Sequence, residues 1–385
     1  MIKVPFHIPN IPQNIEKIFS QSIQSGWLTT GSQVDQLEKK IADYLDADYV
    51  LAVNSCTAAL HLALAAKGFG VGQKFIVPTL TFVSTIECGE YLGMEPILVD
   101  SSKDGFLMDL NQIEDVVKSD NSIKAIIPMH YAGEPIDLKS IMAIADKYNL
   151  FVLQDAAHAF ETEYNGIKIG NTDHAAAFSF YANKNLTTGG EGGALATNDS
   201  NLADRVKKLS LHGITKDGWD RYKTGGNWEY DIVEMGYKYN LTDYAACFGL
   251  WQIGQIDEWQ KRRTEIVLKY KEALSRIDSI CLPNIPKGHS KHLFVIRLIL
   301  ERWSISRNSF IDKMNERGIG LAVHYKPLHQ LSFYKKKYDF AFNEFKMANS
   351  LYESIVSLPI YPNLSDASLD YIIENIINLH NTYSK

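Results

Sequence analysis

Residues 175–197 read AAAFSFYANKNLTTGGEGGALAT. The apolar, aromatic run 175–181 has the character of a buried strand. It gives way to a lone lysine, Lys184, in polar surroundings. A glycine-rich turn at 189–193 and a second short apolar run follow. The pattern places one amine at the end of a core strand, beside a backbone that turns sharply. An amine held there loses solvation, and its pKa can fall far enough to make it a nucleophile toward a carbonyl. A surface lysine in a hairpin turn fits the same residues, so the neighbouring chain has to decide.

Upstream, short runs rich in Val, Ile and Leu predict strands at 49–53, 74–77, 96–99, 125–129 and 150–153. Helical spacing predicts helices between them at 57–67, 82–92, 110–118 and 138–148. Continuous apolar strands fit a sheet covered on both faces. Their alternation with helices predicts a mostly parallel sheet, an α/β fold. Ligands of such sheets bind beyond the carboxyl ends of the strands. Two further turns meet that rule. After the first strand comes NSCTAA, residues 54–59, leading straight into a helix. Free N–H groups and the helix dipole there suit a phosphate, and Thr57 adds a hydroxyl. A plain N-cap by Ser55 or Thr57 is the alternative. After the strand ending at residue 153 comes QDAAHA, residues 154–159. Asp155 can face the same crevice and pair with a cationic nitrogen, or it can serve as a cap or a structural ion pair. An anion cup, a carboxylate and a strand-end lysine on one rim are what pyridoxal phosphate needs, for its phosphate, its pyridinium nitrogen and its aldehyde.

Composition narrows the function classes. The 385 residues suffice for a large domain plus a smaller one, expected at 1–256 and 257–385. A net charge of −6 argues against a broad basic face for nucleic acid. No apolar run has the length of a membrane span, and the first residues, MIKVPFHIPNIPQN, lack the apolar core of a signal peptide. Cys56, Cys88, Cys247 and Cys281 form no CxxC pair, which argues against a zinc site and fits a reducing cytoplasm. Neither GxGxxG nor GxxxxGK[ST] occurs, so a dinucleotide or ATP site has no support.

Taken together, these stretches resemble the DegT/DnrJ/StrS-type nucleotide-sugar aminotransferases, fold-type I pyridoxal phosphate enzymes. The resemblance runs nearly end to end. It rests on GWLTTG (26–31), NSCTAALHL (54–62), PTLTFVST (78–85), DAAHA (155–159) and FSFYANKNL (178–186). GYKYNLTD (236–243), GIGLAVHYKP (318–327) and SLPIYP (357–362) extend it. It implies that Lys184 forms the Schiff base with the cofactor and shuttles protons, and that Asp155 binds the pyridinium nitrogen. Thr57, Ala58 and Ser179 would hold the phosphate, Phe82 would stack on the ring, and His158 would sit beside it. Asn240 would reach the phosphate from the partner subunit of a homodimer with a shared site. Thr29, Thr30, His324 and Tyr325 are candidate substrate contacts. One branch of the family has His at the lysine position and dehydrates; Lys184 implies transamination.

Two positions depart from the family pattern: Gln154 stands where Glu is common, and the turn TTGGEGG (187–193) is one glycine longer. The run NLTT (185–188) resembles enzymes that aminate C4 of UDP-linked 4-keto sugars, such as those making UDP-4-amino-4-deoxy-L-arabinose. Glutamate is then the amino donor, 2-oxoglutarate its product, and lipopolysaccharide, O-antigen or another surface glycan the destination. Residues 212–234, with Lys216, Arg221 and Lys223, read as a flap near the substrate or as a solvated surface loop. A helix over 241–270 leads to the second domain. There the sequence predicts strands at 293–300 and 321–323 and helices at 306–317, 343–355 and 367–382.

Overall fold

A computed structural model describes residues 2–103, 105–215 and 229–385. Much of the flap expected at 212–234, with Lys216, Arg221 and Lys223, lies outside the described residues. The strands in chain order are β1 (Tyr49–Val53), β2 (Lys74–Pro78), β3 (Glu95–Val99), β4 (Ile123–Ile126), β5 (Phe151–Asp155), β6 (Glu163–Tyr164), β7 (Ile167–Lys168), β8 (Ala175–Ser179), β9 (Gly193–Thr197), β10 (Ile280–Cys281), β11 (Phe294–Leu298) and β12 (Ile355–Leu358). Seven of them form one sheet in the order β1-β9-β8-β5-β4-β2-β3. Within it only β9 runs antiparallel to its neighbours. The parallel α/β expectation therefore holds. The antiparallel exception is the second apolar run of the opening stretch, which returns beside β8 directly after the lysine turn.

The sheet is covered on both faces. Every residue of β5 and of β9 is buried. On one side lies the helix Cys56–Ala66, whose Ala and Leu residues are almost all buried. Ser55 caps its start, and Lys67 with Gly68 in the left-handed region ends it. On the other side the helix Ser32–Leu45 turns Val34, Leu37, Ile41 and Leu45 inward, a stripe of helical period. Leu138–Tyr148 does the same with Ile141 and Ala145.

The antiparallel sheet β10-β11-β12 has its own core, with Ile266, Tyr270, Phe294, Trp303, Phe310 and Ile376. Val4 belongs to that core and pairs with Ile319, so the first residues of the chain pack with its last third. Three expectations are corrected here. The region expected as one helix over 241–270 is two, Asp243–Ile253 and Ile256–Leu274, broken at Gly254 and Gln255. The segment 321–323 forms only a single bridge, Ala322 to Ser357. The strand that completes the small sheet is instead Ile355–Leu358, following the helix Lys346–Ser354. A short apolar run at a helix end carries no period that distinguishes the two. Among the described residues no helix is long and apolar enough to cross a membrane.

Candidate active site

A cleft of about 490 Å³ opens beyond the carboxyl ends of β1, β5 and β8. Thr57, Asp155, Ser179 and Lys184 line it together, with Phe82, His324 and Tyr325 on its walls. The open sheet places strand-end residues in this crevice, as the topology requires.

Lys184 follows β8 in a tight turn, with its N–H donating to Tyr181 O at 2.9 Å. The loop that carries it is tied back to Phe180. Thr187 Oγ1 and Thr188 N donate to Phe180 O at 2.9 and 3.2 Å, and Phe180 N donates to Gly192 O at 2.8 Å. Both threonines are buried and neither lines the cleft, so they shape the loop. The two successive glycines of the longer turn both have positive φ, +91° at Gly189 and +153° at Gly190; Gly190 bridges Tyr181, and Glu191 follows at the cleft edge. Lys184 is half-buried and lines the cleft. Burial lowers its ammonium pKa to about 8, against the opposing pull of Cys56 and Asp155.

Asp155 ends β5 and is 1% exposed. Its Oδ2 accepts from Thr85 Oγ1 at 2.7 Å and its Oδ1 from Ala157 N at 3.1 Å. Burial pushes its carboxyl above the ordinary range; Thr85, the Ala157 N–H and Lys184 oppose that push. The preceding Gln154 has a neutral task. His130 Nδ1 accepts from Ile136 N at 3.2 Å, so Nε2 carries the proton and donates to Gln154 Oε1 at 3.0 Å. An amide satisfies that buried imidazole without burying a charge.

At the third turn both readings of the sequence hold a share. Ser55 Oγ accepts from Ala58 N at 3.1 Å, which makes Ser55 the cap. The Ala58 N–H, expected at a phosphate, is therefore already partnered. The N–H groups of Cys56 and Thr57 make no hydrogen bond among the described residues and sit at the positive end of the helix. Gly193 passes close behind: a Cβ there would lie 2.5 Å from Cys56 N. Only glycine lets β9 start this near the anion cup.

The remaining candidates divide. Phe82 is 52% exposed and lines the cleft. His324 and Tyr325 line the cleft, with His324 Nδ1 2.8 Å from Ser357 Oγ. His158 stands one layer back. Its Nδ1 accepts from Ala132 N at 3.2 Å, so its Nε2–H donates to the Tyr325 hydroxyl at 2.8 Å. Thr29, Thr30 and Asn240 do not line the cleft of their own chain. Asn240 Nδ2 donates to Thr30 Oγ1 at 2.7 Å, Thr30 Oγ1 to Leu241 O at 2.6 Å, and Thr29 O accepts from Asp243 N at 3.1 Å. These three form a separate surface group. Sequence reasoning missed Thr81 and Thr85, whose only signal is two hydroxyls four residues apart after a strand end.

A profile of the DegT/DnrJ/EryC1/StrS aminotransferase family matches residues 9–377. The spore coat polysaccharide biosynthesis protein SpsC of Bacillus subtilis is 39% identical over 376 residues, covering 97% of this chain and 96% of that protein. The solved structure of Streptococcus pneumoniae Spr1654 in its PMP form is similar with a TM-score of 0.91 at 31% identity, covering 99% of this chain and 100% of that one. Its PLP form gives a TM-score of 0.90 at 30% identity, covering 99% of each chain. Helicobacter pylori PseC, an aminotransferase involved in the biosynthesis of pseudoaminic acid, gives a TM-score of 0.90 at 25% identity, covering 99% of this chain and 100% of that one. Pyridoxal phosphate is the cofactor of this family, whose members are fold-type I enzymes. The free N–H groups of Cys56 and Thr57, the Asp155 carboxylate and the Lys184 amine fit its phosphate, ring nitrogen and aldehyde. This chain is accordingly an enzyme of the transaminase class, a sugar aminotransferase, and it belongs to the DegT/DnrJ/EryC1/StrS aminotransferase family.

Proposed function

We propose that the protein is a cytoplasmic homodimer that moves an amino group from glutamate to C4 of a UDP-linked 4-keto sugar, for a surface glycan. The observation that carries the reaction class is Lys184, its ammonium depressed by burial, in the same cleft as Asp155 and a helix start whose Cys56 and Thr57 N–H groups have no partner among the described residues. When bound, pyridoxal phosphate supplies an aldehyde that takes up the amino group and a ring that accepts the electrons of a breaking C–H bond. Thr57 and Ser179 hold the phosphate with the first N–H groups of the helix. Phe82 covers one ring face. Asp155 keeps a positive charge on the ring nitrogen. Lys184 Nζ would hold the cofactor's aldehyde and, as a neutral amine, would remove the α-proton of the donor and deliver a proton to the sugar carbon.

His324 and Tyr325 supply donors and acceptors for the sugar at the cleft wall. Asn240 and Thr30 belong to the partner subunit's site, which fits their position outside the cleft of their own chain. The sugar nucleotide and the C4 position rest on the resemblance of residues 185–188. SpsC's name, spore coat polysaccharide biosynthesis, supports a glycan destination.

The test offers the enzyme UDP-, dTDP- and GDP-linked 4-keto sugars and a 3-keto sugar, each with glutamate, and locates the new amine by NMR. An amine at C4 of the UDP sugar supports the reading. An amine at C3 overturns the position, and preference for dTDP or GDP overturns the nucleotide.

A further inference from the structure

Beside Asp155 two buried hydroxyls that do not themselves line the cleft stand in line, ending at Met129 on the cleft wall. Thr85 is 0% and Thr81 1% exposed. Thr85 Oγ1 lies 2.7 Å from Asp155 Oδ2 and 2.7 Å from Thr81 Oγ1. Thr81 Oγ1 lies 3.0 Å from the thioether of Met129. Each hydroxyl has one proton to donate, so the chain can point only one way at a time. With Asp155 ionised, Thr81 donates to Thr85 and Thr85 donates to the carboxylate. With Asp155 protonated, the carboxyl donates to Thr85, Thr85 to Thr81, and the last proton ends on sulfur. The two ends differ in strength. A carboxylate is a strong, charge-assisted acceptor, whereas a thioether is a weak one.

We propose that Thr81 and Thr85 are positioning residues: a two-hydroxyl relay, ended by Met129, that holds the Asp155 carboxylate charged and aimed into the cleft. The inference rests on the reading that Asp155 pairs with the cofactor's ring nitrogen, and extends it. The relay matters because burial pushes Asp155 toward its neutral acid, which has no attraction for a pyridinium. The other groups whose charge reaches Asp155 are Lys184, Cys56, Cys88 and Tyr325. Burial keeps the two thiols and the phenol in their neutral forms. Lys184 is the one cation among them, and it gives up that charge as its own pKa near 8 is passed. The Ala157 N–H holds Oδ1, so the relay and that N–H occupy one oxygen each and fix the plane of the carboxylate.

The test follows the C=O stretch of a protonated carboxylic acid by infrared titration of the full-length, cofactor-free chain. The band belonging to Asp155 is assigned by its loss in Asp155→Asn. Thr85→Val, nearly isosteric, removes one charge-assisted hydrogen bond. It should raise the midpoint by about one pH unit, and Thr85→Ser should return it to the wild-type value. Thr81→Val, one bond further out, should move it in the same direction by a smaller step, roughly 10–30% as much. An unshifted midpoint in Thr85→Val overturns the relay, since a merely space-filling threonine would leave it in place. Cofactor affinity supplies the second arm. Thr85→Val should bind pyridoxal phosphate several-fold more weakly, with rescue by Thr85→Ser. A shifted midpoint with wild-type affinity in both Thr85→Val and Asp155→Asn would leave the relay standing and overturn the ring-nitrogen role of Asp155.

Discussion

The pH at which Lys184 becomes a nucleophile follows directly from its burial. A free lysine amine titrates near 10.4, whereas the cleft brings Lys184 to about 8. At pH 7.5 the first leaves about one amine in a thousand neutral and the second roughly a quarter, a gain of roughly 200-fold in reactive form. A less basic amine is intrinsically a poorer nucleophile. A Brønsted slope of about 0.4–0.5, the size known for thiols, returns roughly tenfold of that gain. The net advantage of Lys184 over a free lysine is therefore roughly 20-fold at this pH. The assay mixes cofactor-free protein with pyridoxal phosphate in a stopped-flow spectrometer and follows the cofactor's absorbance across pH. A blocked lysine run in parallel corrects for the cofactor's own titrations. The corrected rate for the protein should climb about tenfold per pH unit and level off near 8, two units before the blocked lysine does. Asp155 pulls the ammonium pKa upward, so Asp155→Asn should move the break to lower pH. A break shared with the blocked lysine would refute the desolvation argument. Lys184→Ala should show no saturating phase at all.

Asp155→Ala should slow loss of the α-proton from the donor amino acid far more than it weakens cofactor binding; deuterium exchange at that carbon and cofactor titration compare the two, and an effect on affinity alone would contradict the electron-sink role. A mixture of inactive Lys184→Ala and inactive Asn240→Ala proteins should regain activity as subunits exchange, because Thr30 and Asn240 lie outside the cleft of their own chain. No recovery after exchange verified by mass spectrometry would place the whole site within one subunit. Glu161 and Arg263 are a buried pair 3.7 Å apart, and Glu161 also accepts from Asn185, next to the lysine. Burial outweighs attraction at Glu161, so the pair adds little net stability, yet Glu161→Ala would leave Arg263 as a lone buried cation. Urea unfolding should show a loss of about 3–5 kcal/mol, and a loss under about 1 kcal/mol would mean that water reaches Arg263.

The strand-end chemistry was legible because each functional group follows a short apolar run directly. Asp155 ends β5, Lys184 follows β8, and Thr57 lies in the first turn of the helix after β1, so period and position both point to one crevice. What stayed hidden depends on contacts between distant residues. The pairing of Val4 with Ile319 joins residues more than three hundred positions apart and leaves no local trace. The strand Ile355–Leu358 is ordered by pairing with β11, while its sequence reads equally well as the last turn of a helix. Gly254 carries no left-handed φ and gave no clear stop between the helices Asp243–Ile253 and Ile256–Leu274. The relay threonines looked like ordinary turn residues, since a hydroxyl reveals its direction only through the acceptors around it. The cap at Ser55 shows the same limit: the sequence left Ser55 and Thr57 open, and the distance to Ala58 N separates them.

The central claim, that Lys184 is the amine that holds the cofactor, can be read from one peptide map. The protein is incubated with pyridoxal phosphate, reduced with borohydride, digested and analysed by mass spectrometry. The account predicts a phosphopyridoxyl group on the peptide containing Lys184, and its absence when glutamate has first converted the bound cofactor to its amine form. A modified lysine elsewhere would contradict it; a label on Lys184 that glutamate does not remove would overturn glutamate as the donor instead.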